Sequence, residues 1–207
     1  MPAGSITRTN ERKEEIINAC EKLYQTMSFK EITLKEIGKE TSFSRTSIYN
    51  YFRTKEEIFL ALLKREYDQW VFQLQEIIDH KERMTDDEIA DTLARTLDEH
   101  RQLLKILSMN HYDLEENSRM ELLVKFKMSY GNALKTVSRM LEKFRSDMDF
   151  EKRQSFVYAF FPFMFGIYPY TVVTEKQKIA MEKAGVDYTY SSVYDLTFRT
   201  VKRLLQE

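Results

Sequence analysis

Four threonines that precede an apolar-periodic run are followed three residues later by a glutamate or glutamine: Thr33 and Glu36, Thr54 and Glu57, Thr85 and Glu88, Thr174 and Gln177. A threonine hydroxyl at a helix start accepts from the backbone N–H three positions on, and the longer side chain returns a bond to the threonine N–H. Each pair therefore marks a helix start. Between the starts, apolar residues recur at helical spacing, first as Ile16, Ala19, Cys20, Leu23, Tyr24 and Met27, later as Leu122, Leu123, Phe126, Tyr130, Leu134, Val137 and Leu141. No stretch sustains strand-like alternation. With 5 Gly and 3 Pro in 207 residues, little is left for long irregular loops. The expected fold class is all-α.

Residues 1–8 carry no pattern and are expected to be disordered. A first helix is expected from about Asn10 to Met27, a short one from Thr33, and another short one capped by Ser44. Thr54 starts a longer helix to about Ile78. Thr85 starts the next, with a bend near His100, before a loop over about Met109–Ser118. A long helix then covers about Arg119–Arg145. Asp149 can cap an aromatic helix, Thr174 caps a short helix ending at Gly185, and Ser191 or Ser192 begins the last.

One cysteine, Cys20, rules out a disulfide within the chain and suits a reducing, cytoplasmic compartment. Phe156–Val173 runs 18 residues without a charge, but Pro162, Gly166, Pro169 and three tyrosines interrupt it. A helix buried on most faces is expected there rather than a membrane span. The histidines His80, His100 and His111 form no metal-ligand spacing with one another or with Cys20, and no Gly-rich phosphate loop or Gly-x-Ser-x-Gly elbow occurs. We therefore expect no enzyme, no cofactor and no metal. Residues 1–65 hold 12 Lys/Arg against 9 Asp/Glu, a net of +3, and residues 66–207 hold 20 against 24, a net of −4. An anionic partner is expected to meet the first part.

The segment Ser44–Phe59, SRTSIYNYFRTKEEIF, has a composition that neither a core helix nor an ordinary surface helix needs. Two short helices joined by a tight turn and braced by a third form a helix-turn-helix, whose second helix enters the DNA major groove. Ile48 and Phe52, four apart, are placed to pack inward, and Arg45, Thr46, Tyr49 and Asn50 to face outward. Arg reads guanine bidentately, Asn reads adenine and Thr meets a thymine methyl. Tyr49 and Tyr51 offer hydroxyls to phosphates. Thr54 and Lys55 offer free N–H groups and an ammonium at a helix start. The competing readings are a structural hairpin with aromatic packing and a helix-turn-helix that binds only protein.

Residues 12–63 resemble the DNA-binding domain of the TetR family of transcriptional regulators. The likeness rests on Ile16, Ala19, Leu23 and Tyr24, on FKEITLKEIGKE, and on FSRTSIYNYFRTKEEIF with its Tyr-x-Tyr-Phe-x-x-Lys-x-x-Ile spacing. The resemblance implies a three-helix DNA-binding domain over 1–53, continuing in likeness to about 63, and a larger helical ligand-binding and dimerisation domain over 54–207. It implies DNA contacts from Thr33, Ser44, Arg45, Thr46, Ser47, Tyr49, Asn50, Tyr51 and Lys55. Where the family usually has glycine, this chain has Ser28 and Ser42, and Phe43 replaces a valine. If either serine requires positive φ, it costs about 1 kcal/mol relative to glycine.

In the larger domain the aromatic helix is apolar on two sides, and so is the last helix. A two-fold four-helix interface made by these two helices from each of two chains accounts for both. The expected interface residues are Phe156, Phe160, Phe163, Ile167, Leu196, Thr200 and Leu204. Trp70, Met109, Tyr112, Phe126, Met128, Tyr130, Phe161 and Phe165 are candidates for lining a ligand pocket, and helical core packing competes for each of them. No buried charge stands out as a counter-ion for a ligand. The expected function is a homodimeric repressor released from a pseudo-palindromic double-stranded DNA operator by a small apolar or aromatic effector, with no membrane partner. The alternative is a DNA-tethering or nucleoid-associated protein of the same fold without an effector. A helical enzyme or lipid carrier is disfavoured by the missing catalytic cluster.

Overall fold

The computed structural model describes residues 3–109 and 111–206; the side chains of residues 3–6, Arg45 and His111 lie outside the described residues. Eleven helices and no strand occur among the described residues. The chain divides into two compact units, Met1–Arg65 with Asn110–Met128, and Glu66–Met109 with Ser129–Glu207.

The first unit opens with α1 (Ala3–Thr26), α2 (Leu34–Lys39), α3 (Arg45–Ile48) and the start of α4 (Lys55–His80). Helix α1 begins well before the expected Asn10, because extending a helix from a packed nucleus costs little per residue. Its inward stripe of Ile16, Ala19, Cys20 and Tyr24 is buried with Ile32, Ile37, Ile48, Phe52, Ile58 and Phe59. The Phe59 ring meets Tyr24 edge-on at 5.0 Å and Phe29 at 4.9 Å. Arg65 fastens α4 to α1 through Asn18 at 2.5 Å and Glu21 at 2.7 Å. The expected 109–118 loop contains a helix, α7 (His111–Glu116), anchored by buried Leu114. With the first turns of α8 (Met120–Phe144) it completes this unit.

The second unit holds the rest of α4 and α8 with α5 (Asp86–Glu99), α6 (Arg101–Leu107), α9 (Phe150–Thr171), α10 (Glu175–Lys183) and α11 (Val193–Leu204). The Thr85 and Thr174 boxes form both bonds, and Ser192 forms a third box with Asp195. Asp149 caps α9, and α10 ends at Gly185, the one described residue with positive φ, at 65°. Helix α11 packs on α5 and α9. Tyr194 donates to Asp91 at 2.9 Å, Lys202 pairs with Asp87, and Arg145 reaches both Asp86 and the Leu205 carbonyl. No single described helix is long and apolar enough to cross a membrane; α9 and α10 pass such a test only as a pair bent by 83°.

Candidate nucleic-acid interface

The turn between α2 and α3 is built without left-handed backbone. No non-glycine residue described has positive φ, so neither serine carries the strain that a glycine-requiring turn would impose. Ser42 instead gives its N–H to the Glu15 carboxylate at 2.5 Å, and Thr41 Oγ1 donates to the carbonyls of Gly38 and Phe43, each at 3.1 Å. Ser28 donates both its N–H, at 2.8 Å, and its hydroxyl, at 2.7 Å, to Glu31. The Ser28 hydroxyl therefore serves as a hydrogen-bonding turn group, whereas Ser42 contributes its backbone N–H. Phe43 lies 6.3 Å from the Tyr51 ring, and the Arg12 guanidinium sits 5.6 Å from the Phe43 ring centroid.

Helix α3 buries Ile48 and, just beyond its end, Phe52, as their spacing demands. On the other side Ser44, Thr46, Tyr49 and Asn50 are exposed, and Ser47, Tyr51 and Lys55 are half-buried. The Arg45 side chain lies outside the described residues. Ser44 and Ser47 share a hydroxyl contact of 3.2 Å. The Tyr51 hydroxyl accepts from Arg12 at 3.3 Å, which fixes the ring without closing the oxygen to a further partner.

Thr33 is exposed at the start of α2, where it accepts from the Glu36 N–H and donates to the Glu36 carboxylate. Lys39 and then Thr33 hold Glu36 down to a pKa of about 2, so it stays ionised beside this face. Lys55 lies with Ile32, Thr33, Leu34 and Lys35 around one shallow groove. Its Nζ donates to the Phe29 carbonyl at 2.7 Å and the Ile32 carbonyl at 3.2 Å. Two of its three protons are thereby engaged.

The Thr54 box forms only in part. Thr54 accepts from the Glu57 N–H at 3.1 Å, but the Glu57 carboxylate turns to the Arg53 N–H and to Arg119. Burial raises the Glu57 carboxyl. The Arg119 guanidinium and the Arg53 and Arg119 backbone N–H groups outweigh it and hold the group below the ordinary glutamate range. Arg119 and Arg12 escaped the sequence reading because each lies far along the chain from what it touches.

The pocket candidates separate. Trp70 and Phe161 are buried together in the second unit with centroids 6.2 Å apart, and Tyr130 meets Phe161 at 5.7 Å and Tyr67 at 5.8 Å. Trp70 donates to Thr96 Oγ1 at 3.0 Å. Met109 and Phe165 are half-buried in this unit. Tyr112, Phe126 and Met128 belong to the first unit, where Phe126 is buried while Tyr112 and Met128 are 84% and 69% exposed. Tyr112 and Met128 therefore line no interior there. The second unit also buries a carboxylate the sequence did not reveal, Glu66, 3.8 Å from His100 Nδ1.

The interface candidates separate too. Phe156, Phe160 and Ile167 are buried inside the protomer, because α9 turns those residues onto its own unit. They are unavailable to a partner, a correction to the expected interface. Phe163, Leu196, Thr200 and Leu204 remain half-exposed, and Ser155, Ala159 and Pro162 form the outward side of α9.

Residues 16–62 match the family of bacterial regulatory proteins, tetR family, and residues 64–191 match the tetracyclin repressor-like C-terminal domain. The chain belongs to the TetR family. A curated relative of this TetR-family chain, the uncharacterized HTH-type transcriptional regulator YfiR of Bacillus subtilis (strain 168), is 27% identical over 105 residues, covering 45% of this chain and 51% of the relative. The match thus spans about half the length of that relative. Among solved structures, a TetR-family regulator from Mesorhizobium loti MAFF303099 superposes with a TM-score of 0.60 at 14% identity, covering 96% of this chain and 95% of its own. The fatty acid degradation regulator FadR from Bacillus halodurans gives 0.55 at 16% identity, with 94% of each chain covered. FadR from Bacillus subtilis, solved with stearoyl-CoA, gives 0.54 at 19% identity, covering 93% of this chain and 96% of that one. These likenesses show the fold: a helix-turn-helix followed by a helical C-terminal part.

Proposed function

We propose that this chain is a homodimeric DNA-binding repressor that leaves a pseudo-palindromic operator when a small apolar or aromatic effector binds. The observation that carries the reading is the segment Ser44–Lys55, which buries Ile48 and Phe52 while exposing Ser44, Thr46, Tyr49 and Asn50 as one polar face. Asn50 and Thr46, with Arg45, are the base-reading candidates. Thr33, Ser44, Ser47, Tyr49, Tyr51 and Lys55 are the phosphate candidates.

The aromatic interior of the second unit supports the effector class. Trp70, Tyr130 and Phe161 pack edge-on into an apolar cluster, whose chemistry suits an apolar chain or ring that parts them. The stearoyl-CoA held by the Bacillus subtilis FadR carries an apolar acyl chain on a charged coenzyme A. The proposed dimer uses the outward side of α9, from Ser155 through Phe163, with Leu196, Thr200 and Leu204 of α11. A two-fold dimer presents two recognition helices about 34 Å apart, one helical turn of DNA. Effector binding would act on α4 and α8, which carry residues of both units. A ligand shifts such an equilibrium only by its differential affinity for the two states.

Selection of duplexes from a random pool by the purified protein, followed by titration with fatty acids, acyl thioesters and aromatic acids, tests the reading. A selected inverted repeat released by one ligand class is the expected result. Selective DNA binding with no release by any of them would favour the DNA-tethering alternative. No selected sequence would overturn the DNA-binding reading.

A further inference from the structure

We propose that Arg119 and Glu57 are positioning residues for the recognition segment, so that the strap Asn117–Arg119 determines DNA sequence specificity without touching DNA. The inference rests on the DNA-binding reading above. Its observations all lie within the first unit.

Glu57 stands in the first turn of α4 with its side chain 1% exposed. A buried carboxylate is tolerated only when its oxygens are filled by hydrogen bonds and a counter-charge. Here they are. Oε1 accepts from Arg119 Nε at 2.7 Å and the Arg119 backbone N–H at 3.2 Å. Oε2 accepts from Arg119 Nη2 at 3.0 Å and the Arg53 N–H at 2.7 Å. The planar guanidinium fork meets both oxygens of the carboxylate, a fit a lysine ammonium does not reproduce.

The same guanidinium reaches further. Arg119 Nη2 also donates to the Tyr51 carbonyl at 2.9 Å, and Thr54 Oγ1 donates to the Asn117 carbonyl at 3.0 Å. Tyr51 closes the turn that carries Tyr49 and Asn50, through its N–H to the Ile48 carbonyl at 2.8 Å. Helix α3 has only four residues, too few to hold its own direction. Its exit is therefore fixed at Tyr51 and Thr54 by groups from a strap more than sixty residues away in sequence, and at Arg53 by Glu57, the carboxylate that strap holds.

Base readout depends on the angle and reach of side chains within hydrogen-bond tolerance, whereas phosphate contacts tolerate small shifts. Loosening the exit should weaken recognition of one sequence and leave general DNA affinity almost intact. That pattern separates a positioning role from a purely structural one.

The test uses the full chain with two probes: the duplex the wild-type protein selects from a random pool, and a scrambled duplex of equal length. Arg119→Met is expected to bind the selected duplex at least tenfold more weakly, to bind the scrambled duplex within twofold of wild type, and to keep the salt slope. Glu57→Gln is expected to lose the same preference. Arg119→Lys, which keeps the charge but not the fork, is expected to restore part of it. Circular dichroism on each variant reports the fold. If Arg119→Met is unfolded, Arg119→Lys carries the comparison, and unfolding of both would overturn a positioning role. Variants that match wild type on both duplexes, or lose both in parallel, would also overturn it. A wild-type protein that prefers no duplex would instead sink the DNA-binding reading.

Discussion

Lys55 donates to the Phe29 carbonyl at 2.7 Å and lies 4.1 Å from the centroid of the Phe29 ring. The ammonium at the start of α4 thus ties down the end of the turn after α1. One side chain braces the fold and faces the proposed phosphate path.

Lys55→Ala is expected to act on both. Loss of the two carbonyl bonds and the ring contact should destabilise the first unit by about 1–3 kcal/mol. Binding to all DNA sequences should weaken alike, with the salt slope reduced by about one. Thermal melts and salt titrations of the same variant check it. An unchanged slope would remove Lys55 from the phosphate contacts.

Ser42→Gly is expected to destabilise. The Ser42 backbone needs no positive φ, and its N–H is already held by Glu15. Glycine adds only unfolded-state freedom there, roughly 0.5–1 kcal/mol. A higher melting temperature would show a strain that the backbone angles do not.

Thr96→Val should leave the Trp70 indole N–H buried without its acceptor, at about 1–3 kcal/mol. Trp70 is the only tryptophan, so its fluorescence reports directly on the second unit. A denaturation midpoint equal to wild type would mean the indole finds another partner. The same emission gives a readout for apolar ligands, because a ligand reaching the aromatic cluster should quench or shift it.

Glu57 sets an acid limit. Its folded pKa lies below its ordinary value of 4.5, so its contribution to stability is present above that value and is lost as pH falls through the folded pKa. Wild type should lose its stability advantage over Glu57→Gln progressively below about pH 4. Denaturant midpoints of the two proteins between neutral pH and pH 3 measure it. A constant difference across that range would exclude the ion pair as the cause.

Leu204→Glu places a carboxylate on the half-exposed side of α11, the side assigned to the partner. Burying it unpaired costs several kcal/mol. The variant should sediment as a folded monomer and bind the full operator much more weakly, since one half-site loses the second set of contacts. Tight operator binding by a folded monomer would refute the dimer assignment, and a retained dimer would move the interface elsewhere.

The sequence by itself determined what depends on neighbours along the chain. Helix starts at Thr85 and Thr174, the stop at Gly185 and the inward pair Ile48 and Phe52 follow from bonds and spacings within four residues. The tertiary structure alone decided matters of partner and side. Glu57 abandons its expected box because Arg119, sixty-two positions away, offers a stronger fork. Phe156, Phe160 and Ile167 go to the protomer's own core and not to the dimer, while Tyr112 and Met128 face outward. A helix apolar on two sides announces that both must be covered, but periodicity carries no record of which neighbour covers which. That choice is made only when distant helices meet and bury surface together.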